Sequence, residues 1–260
     1  MNISYHRWFS KNLNQDMEIK IYGSQGVALL AFPTLGGRFY DFENFGMIAA
    51  VEEQIEAGDL ICFTVDSFDH QSWLNTSLEP AERARLHEQY SAYIFEEVVP
   101  FIRQQSGEQV KILLAGCDMG GYHAANFFFR RPDLFAGFIC LSGFFDLQRF
   151  TDNFVDETIY YNSPLHYLPR LTDIWYLDLY RQSYLVVCAG QGMWERQMVA
   201  NAHALKRVLQ EKDIACLVDF WGFEADHDWS WWRKQLPYYL KPILAAIASS
   251  ENTGEMNSST

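Results

Sequence analysis

Short apolar runs of strand length alternate along this chain with longer stretches of helical spacing. Residues 17–22 and 27–32 read as strands joined through Gly23-Ser24-Gln25-Gly26, which has hairpin-turn composition, so the opening strands are expected to be antiparallel. A glycine-bearing loop, Pro33-Thr34-Leu35-Gly36-Gly37-Arg38, follows the second strand. Residues 42–56 form a helix candidate ending near Gly58, residues 60–65 a strongly apolar strand, and residues 66–77 a polar loop carrying Trp73. Pro80 stands where a first helical residue would. From there Leu86, Tyr90, Tyr93, Ile94, Phe101 and Ile102 recur at helical spacing as far as Gly107, and Pro100 is expected to kink or shorten that helix. Further buried strands are read at 110–115, 138–141, 184–189 and 215–220. Met198, Ala202, Leu205 and Leu209 mark one face of a helix between the last two. Strands alternating with helices predict an α/β fold, with a mostly parallel central sheet and helices on both faces.

The stretch 110–132, VKILLAGCDMGGYHAANFFFRRP, organises the rest. A strand ends in Gly116-Cys117-Asp118-Met119-Gly120-Gly121, and a helical stretch over 122–130 stops ahead of Pro132. A strand, a sharp turn flanked by glycines and then a helix is the form of the nucleophile elbow of α/β-hydrolases. The glycines two before and two after the central residue let strand and helix close without a Cβ clash. The central residue is thereby pushed out, at the positive end of the following helix. In most such enzymes it is Ser; here it is Asp118.

Length and composition narrow the class. A chain of 260 residues, about half of them apolar, fits one α/β domain, read here as residues 1–247, with a polar and disordered tail over 248–260. A net charge of −13 argues against nucleic acid or an anionic membrane as partner. Cys62, Cys117, Cys140, Cys188 and Cys216 lie mostly within apolar runs and read as reduced core residues. There is no signal-peptide pattern or spanning run, so a cytoplasmic location is the default expectation. Residues 144–181 differ in kind, being rich in Phe, Tyr and Trp and broken by Pro164 and Pro169. They are expected to cover the carboxyl end of the sheet, either as a satellite cluster or as the wall of a pocket.

A hydrolase of this type needs an acid and a His after the nucleophile, in that order. His227 lies in a loop directly after the last strand, Gly222 to Trp229, where such a His belongs; His203 falls within a helix and reads as an exposed helical residue. For the acid, Glu195 follows the strand at 184–189, and Asp219 is its rival. The cluster Glu224, Asp226, His227 and Asp228 matches no common metal-ligand spacing, so neither a metal nor a cofactor is expected.

At these residues the chain resembles the esterase branch of the α/β-hydrolases, related to S-formylglutathione hydrolase (esterase D) and the mycolyltransferases. The likeness covers about residues 17–245. It is densest at Phe32-Pro33-Thr34-Leu35-Gly36-Gly37-Arg38-Phe39-Tyr40 and at residues 116–126, 163–167, 190–195 and 227–233. The resemblance implies a nucleophile at position 118, the acid at Glu195, the base at His227, and oxyanion donors at the backbone N–H groups of Leu35 and Met119. It also implies a small-molecule ester or other apolar substrate; self-association into a homo-oligomer is left open.

Asp118 departs from the Gly-x-Ser-x-Gly of those relatives. A carboxylate at a helix N-terminus is ionised and has no proton to give His227, and attack on an ester would form a mixed anhydride uphill of the substrate. Carboxylates serve as nucleophiles at saturated carbon, as in haloalkane dehalogenases and epoxide hydrolases of the same fold. Against that, Met119 replaces the halide-holding Trp of dehalogenases, and no pair among Tyr160, Tyr161, Tyr167, Tyr176 and Tyr180 is singled out as epoxide donors. Three readings follow: a working hydrolase with Asp118 as nucleophile or with His227 and Glu195 activating water; an inactive homologue that binds a ligand or partner; and a replacement of Ser in a true esterase.

Overall fold

The computed structural model describes the backbone of residues 1–258 and the side chains of residues 1–250. The chain opens with β1 (Ile3–Ser10) and β2 (Gln15–Tyr22), an antiparallel hairpin turning at residues 11–14. Strand β3 (Val27–Phe32) is followed by three short helices, α1 (Asp41–Asn44), α2 (Met47–Ala50) and α3 (Glu52–Glu56), then β4 (Leu60–Val65). Next come α4 (Pro80–Tyr93), a π-helical turn (Ile94–Val98), α5 (Val99–Ser106), β5 (Ile112–Cys117), α6 (Met119–Arg130) and β6 (Gly137–Leu141). The covering segment forms α7 (Gln148–Thr151), α8 (Glu157–Tyr161), α9 (Pro164–Tyr167) and α10 (Ile174–Arg181). The chain closes with β7 (Tyr184–Ala189), α11 (Arg196–Gln210), β8 (Leu217–Phe220) and α12 (Trp229–Ser258).

The sheet has eight strands in the order β1-β2-β4-β3-β5-β6-β7-β8. From β4 to β8 every neighbour is parallel; β1 and β2 are antiparallel additions at one edge. The hairpin expected between residues 17–22 and 27–32 is therefore not formed, because β4 lies between β2 and β3. Gly26, at φ 101°, passes so close to β4 that an added Cβ would lie 2.3 Å from the carbonyl carbon of Asp59. β2 pairs instead with β1, a strand whose alternating exposure gives it no continuous apolar run and which sequence reasoning missed. The single helix expected over 42–56 is three pieces, broken at Gly46 (φ 78°) and at Val51. Pro100 does not end the helical run: it stands in the first turn of α5, directly after a π-helical turn. Helix α12 runs through residues 248–258, which composition assigned to a disordered tail; residues 259–260 lie outside the described residues.

The central strands are buried on both faces. Along β5, Ile112 and Leu114 face a core with Phe63, Tyr90, Phe127 and Phe138, whereas Leu113, Ala115 and Cys117 face one with Cys62, Ile139, Trp232 and Tyr239. All five cysteines are free thiols. Among the described residues no helix is long and apolar enough to cross a membrane.

Candidate active site

The bend between β5 and α6 is set by glycine. A Cβ on Gly116 would lie 2.2 Å from the Gly120 carbonyl, and one on Gly120 would lie 2.4 Å from the Phe32 oxygen. Only a glycine pair lets strand, helix and β3 approach this closely. Asp118, between them, is held at φ 54° and ψ −119°, a conformation costing a side-chain-bearing residue roughly 1–3 kcal/mol. The surrounding frame enforces it. Its N–H donates to the Leu141 oxygen at 3.0 Å, continuing the β5–β6 ladder, and its carbonyl accepts from Tyr122 N–H at 3.1 Å, starting α6.

His227 and Glu195 reach this bend from two loops laced together. Gly192 N–H donates to the Ala225 oxygen, Met193 N–H to Asp226 Oδ1 at 2.7 Å, and His227 N–H to the Met193 oxygen at 3.0 Å. The result brings three of the side chains singled out in the sequence into line. His227 Nε2 lies 3.6 Å from Asp118 Oδ1, and His227 Nδ1 lies 3.4 Å from Glu195 Oε1. Both are ion-pair separations, longer than a well-formed hydrogen bond. The other Asp118 oxygen, Oδ2, accepts from the Leu35 N–H at 3.4 Å. Asp219, the rival acid, accepts instead from the Tyr239 hydroxyl at 2.7 Å, and His203 is exposed on α11 with its ring stacked on Phe220. The acidic loop does not converge on an ion: Asp226 caps Met193 and Asp228 caps Ser230. Among the described residues no group of three His, Cys, Asp or Glu side chains could hold a metal.

Charge follows this geometry. Burial alone would raise the Asp118 pKa, but His227, the Met119 N–H and the charge of Arg149 bring it below the ordinary Asp value. Burial alone would lower His227, yet the Asp118 and Glu195 carboxylates on its two nitrogens push it up to about 9. At neutral pH His227 is therefore an imidazolium facing an ionised Asp118.

Four supporting residues escaped sequence reasoning. Glu195 is almost fully buried; the Ser142 hydroxyl donates to its Oε1 at 2.5 Å, and Trp232 Nε1 in turn donates to Ser142 at 3.0 Å. The Trp232 ring also meets the His227 imidazole edge-on, centroids 4.9 Å apart. On the other side, buried Asp69 joins the Leu35 loop to α6: its Oδ2 accepts from Gly36 N–H at 3.1 Å and its Oδ1 pairs with His123 Nε2 at 2.9 Å. Ser142 closes an apolar strand and His123 lies five residues after Asp118, but neither position carries a pattern that names its partner.

The covering segment divides. Phe144, Leu147 and Phe150 pack with Met119 and Tyr122, and Leu35 packs against the same cluster, so this half borders the bend. Tyr161, Tyr167, Tyr176 and Tyr180 instead line a separate cavity with Glu88 and Arg130, so they supply no hydroxyl to Asp118.

A mostly parallel sheet with a sharp strand-to-helix bend, an imidazole and a carboxylate after later strands defines an α/β-hydrolase. The chain belongs to the family described as "Putative esterase", whose profile matches residues 10–242. No curated protein sequence matches it. It is similar in fold to a ferulic acid esterase (16% identity, 95% of this chain and 98% of that one, TM-score 0.73). It is likewise similar to the S-formylglutathione hydrolase FrmB of Staphylococcus aureus (16%, 94% and 97%, 0.67). Mycobacterium tuberculosis MPT51 (FbpC1) is a third such structure (14%, 94% and 99%, 0.67).

Proposed function

We propose that this chain is a hydrolase that works at saturated carbon, with Asp118 as the nucleophile. In the first step Oδ1 forms a bond to an alkyl carbon as the carbon–leaving-group bond breaks, and the leaving group departs with the electron pair. The product is an alkyl ester of Asp118. Esterification removes the negative charge beside His227, so the imidazolium loses the partner that raised its pKa and releases its proton to solvent. Neutral His227, oriented by Glu195, then takes a proton from water as the water oxygen attacks the Asp118 Cγ. The oxyanion that forms is Oδ2, which stands at the Leu35 N–H beside that of Met119. Collapse expels the alcohol with the proton from His227, and the Asp118 carboxylic acid so formed passes the second proton of the water to His227, restoring carboxylate and imidazolium.

The observation that carries this reading is the division of labour between the two oxygens, one on a backbone N–H at 3.4 Å and the other facing the imidazole at 3.6 Å. It supports attack on an Asp118 ester without any rearrangement. The same arrangement disfavours ordinary ester cleavage, because the carboxylate already occupies the donors an ester oxygen would need. That occupancy also favours a second reading, an inactive homologue that binds its ligand without turnover.

The two separate by experiment. A His227→Gln variant incubated with primary alkyl halides and terminal epoxides should gain the mass of the alkyl group on the peptide holding Asp118, while the unmutated protein turns the same compounds into alcohols. Absence of both adduct and alcohol across the panel refutes the hydrolase and leaves the binding protein.

A further inference from the structure

Arg149 stands at the edge of this bend. Its guanidinium lies over the rings of Phe144 and Phe150, 5.2 and 4.7 Å from their centroids. Phe144 stacks on Tyr122, centroids 5.2 Å apart and planes within 4°, and Tyr122 is one helical turn from Asp118. These rings belong to the cluster that includes Met119 and borders Leu35, so the cation is carried on the wall that holds both backbone donors. The side chain is exposed, and among the described residues it makes no ion pair and no hydrogen bond. Arg83, which reaches the same cluster, is spent on the Phe150 carbonyl oxygen at 2.7 Å.

We infer that Arg149, steadied by Phe144 and Phe150, is the seat for a carboxylate carried by the substrate. The class of molecule is then an alkyl compound with an anionic group at one end and the reacting carbon at the other. The inference rests on the alkyl-transfer reading for its chemistry, but not for its binding. Charge explains the need for such a residue. An anion entering the site meets two carboxylates and one imidazolium, a net charge of −1, on a chain of net charge −13. An unpaired guanidinium brings the local sum to zero, and because its planar fork matches a carboxylate, it also fixes which end of the substrate points away from Asp118. A neutral alkyl compound has no group for it to seat.

Benzoate and benzyl alcohol, two probes of similar shape, test the seat by titration calorimetry. The unmutated protein should bind benzoate about tenfold more tightly than benzyl alcohol. Arg149→Gln should erase that preference and Arg149→Lys should keep part of it. Equal binding of the two probes, or a preference that survives in Arg149→Gln, overturns the inference. A second measurement uses 4-(bromomethyl)benzoate and its methyl ester as alkylating agents on His227→Gln: adding Arg149→Gln should slow labelling of Asp118 by the acid about tenfold more than labelling by the ester. No labelling by either reagent sinks the alkyl-transfer reading, whereas labelling without a benzoate preference sinks the carboxylate seat alone.

Discussion

Replacing Asp118 by Asn removes one charge and keeps the shape, which makes it a stand-in for the neutral ester of the proposed intermediate. Asn also tolerates positive φ, so the bend at φ 54° is not the variable. At 1.36 kcal/mol per pH unit, the rise of His227 from 6.5 to about 9 amounts to about 3 kcal/mol. That rise is the surplus of two carboxylates over burial, so losing one should return at least half of it. We expect His227 to titrate near 9 in the unmutated protein and at about 7.5 or below in Asp118→Asn, followed by the imidazole carbon-bound proton in NMR spectra. Stability must move in step. A raised folded pKa contributes stability that is complete below 6.5 and is lost as pH rises through about 9. Urea unfolding of the unmutated protein should therefore weaken by up to about 3 kcal/mol between pH 6 and pH 10 relative to the variant, less whatever other groups contribute to both. A His227 that titrates near 6.5, or one that stays near 9 in Asp118→Asn, would refute the coupling on which the two-step chemistry depends.

Other substitutions test neighbouring parts. Asp118→Ser frees the Leu35 and Met119 donors and supplies a proton for His227, so cleavage of short aryl esters should rise at least about a hundredfold over the unmutated protein in a chromogenic assay. Asp69→Ala leaves buried His123 and the Gly36 N–H without a partner; a loss of about 3 kcal/mol in urea unfolding is expected, with faster hydrogen exchange at Gly36. Gly116→Ala drives a methyl group to 2.2 Å from the Gly120 carbonyl and should cost more than about 3 kcal/mol or prevent soluble expression. Gly107→Ala, which meets nothing within 4 Å but sits at φ 100° and ψ 147°, should cost about 1–3 kcal/mol in urea unfolding, from backbone strain alone.

What could be read from the sequence follows from how local each cause is. The strand at 184–189 and the bend at Asp118 announce themselves through continuous apolar residues and glycine spacing, causes that lie within a few residues. The antiparallel edge did not: β1 alternates exposed and half-buried residues, and only its register against β2 makes it a strand. The false hairpin at Gly23–Gly26 has the same origin, since turn composition says nothing of a third strand slipping between the two. Glu195 and His227 stood out because chain order limits the choices after the later strands. Ser142, Trp232, Asp69 and His123 did not, because each acts through a contact dozens of residues away, and a lone polar residue in an apolar run names no partner.

The tether from Trp232 through Ser142 to Glu195 spans ninety residues, and its anchor begins the last helix. During synthesis the bend at Asp118 can close as soon as β6 emerges, but the Ser142 hydroxyl that holds Glu195 lacks its Trp232 donor until residue 232 has cleared the ribosome. A nascent protein halted after β8 would thus own a fold and a carboxylate at the bend while its imidazole was neither present nor held. Assembly of the reactive row is in this way deferred until α12 is made, the same helix whose Trp232 and Tyr239 complete the core on that face of the sheet.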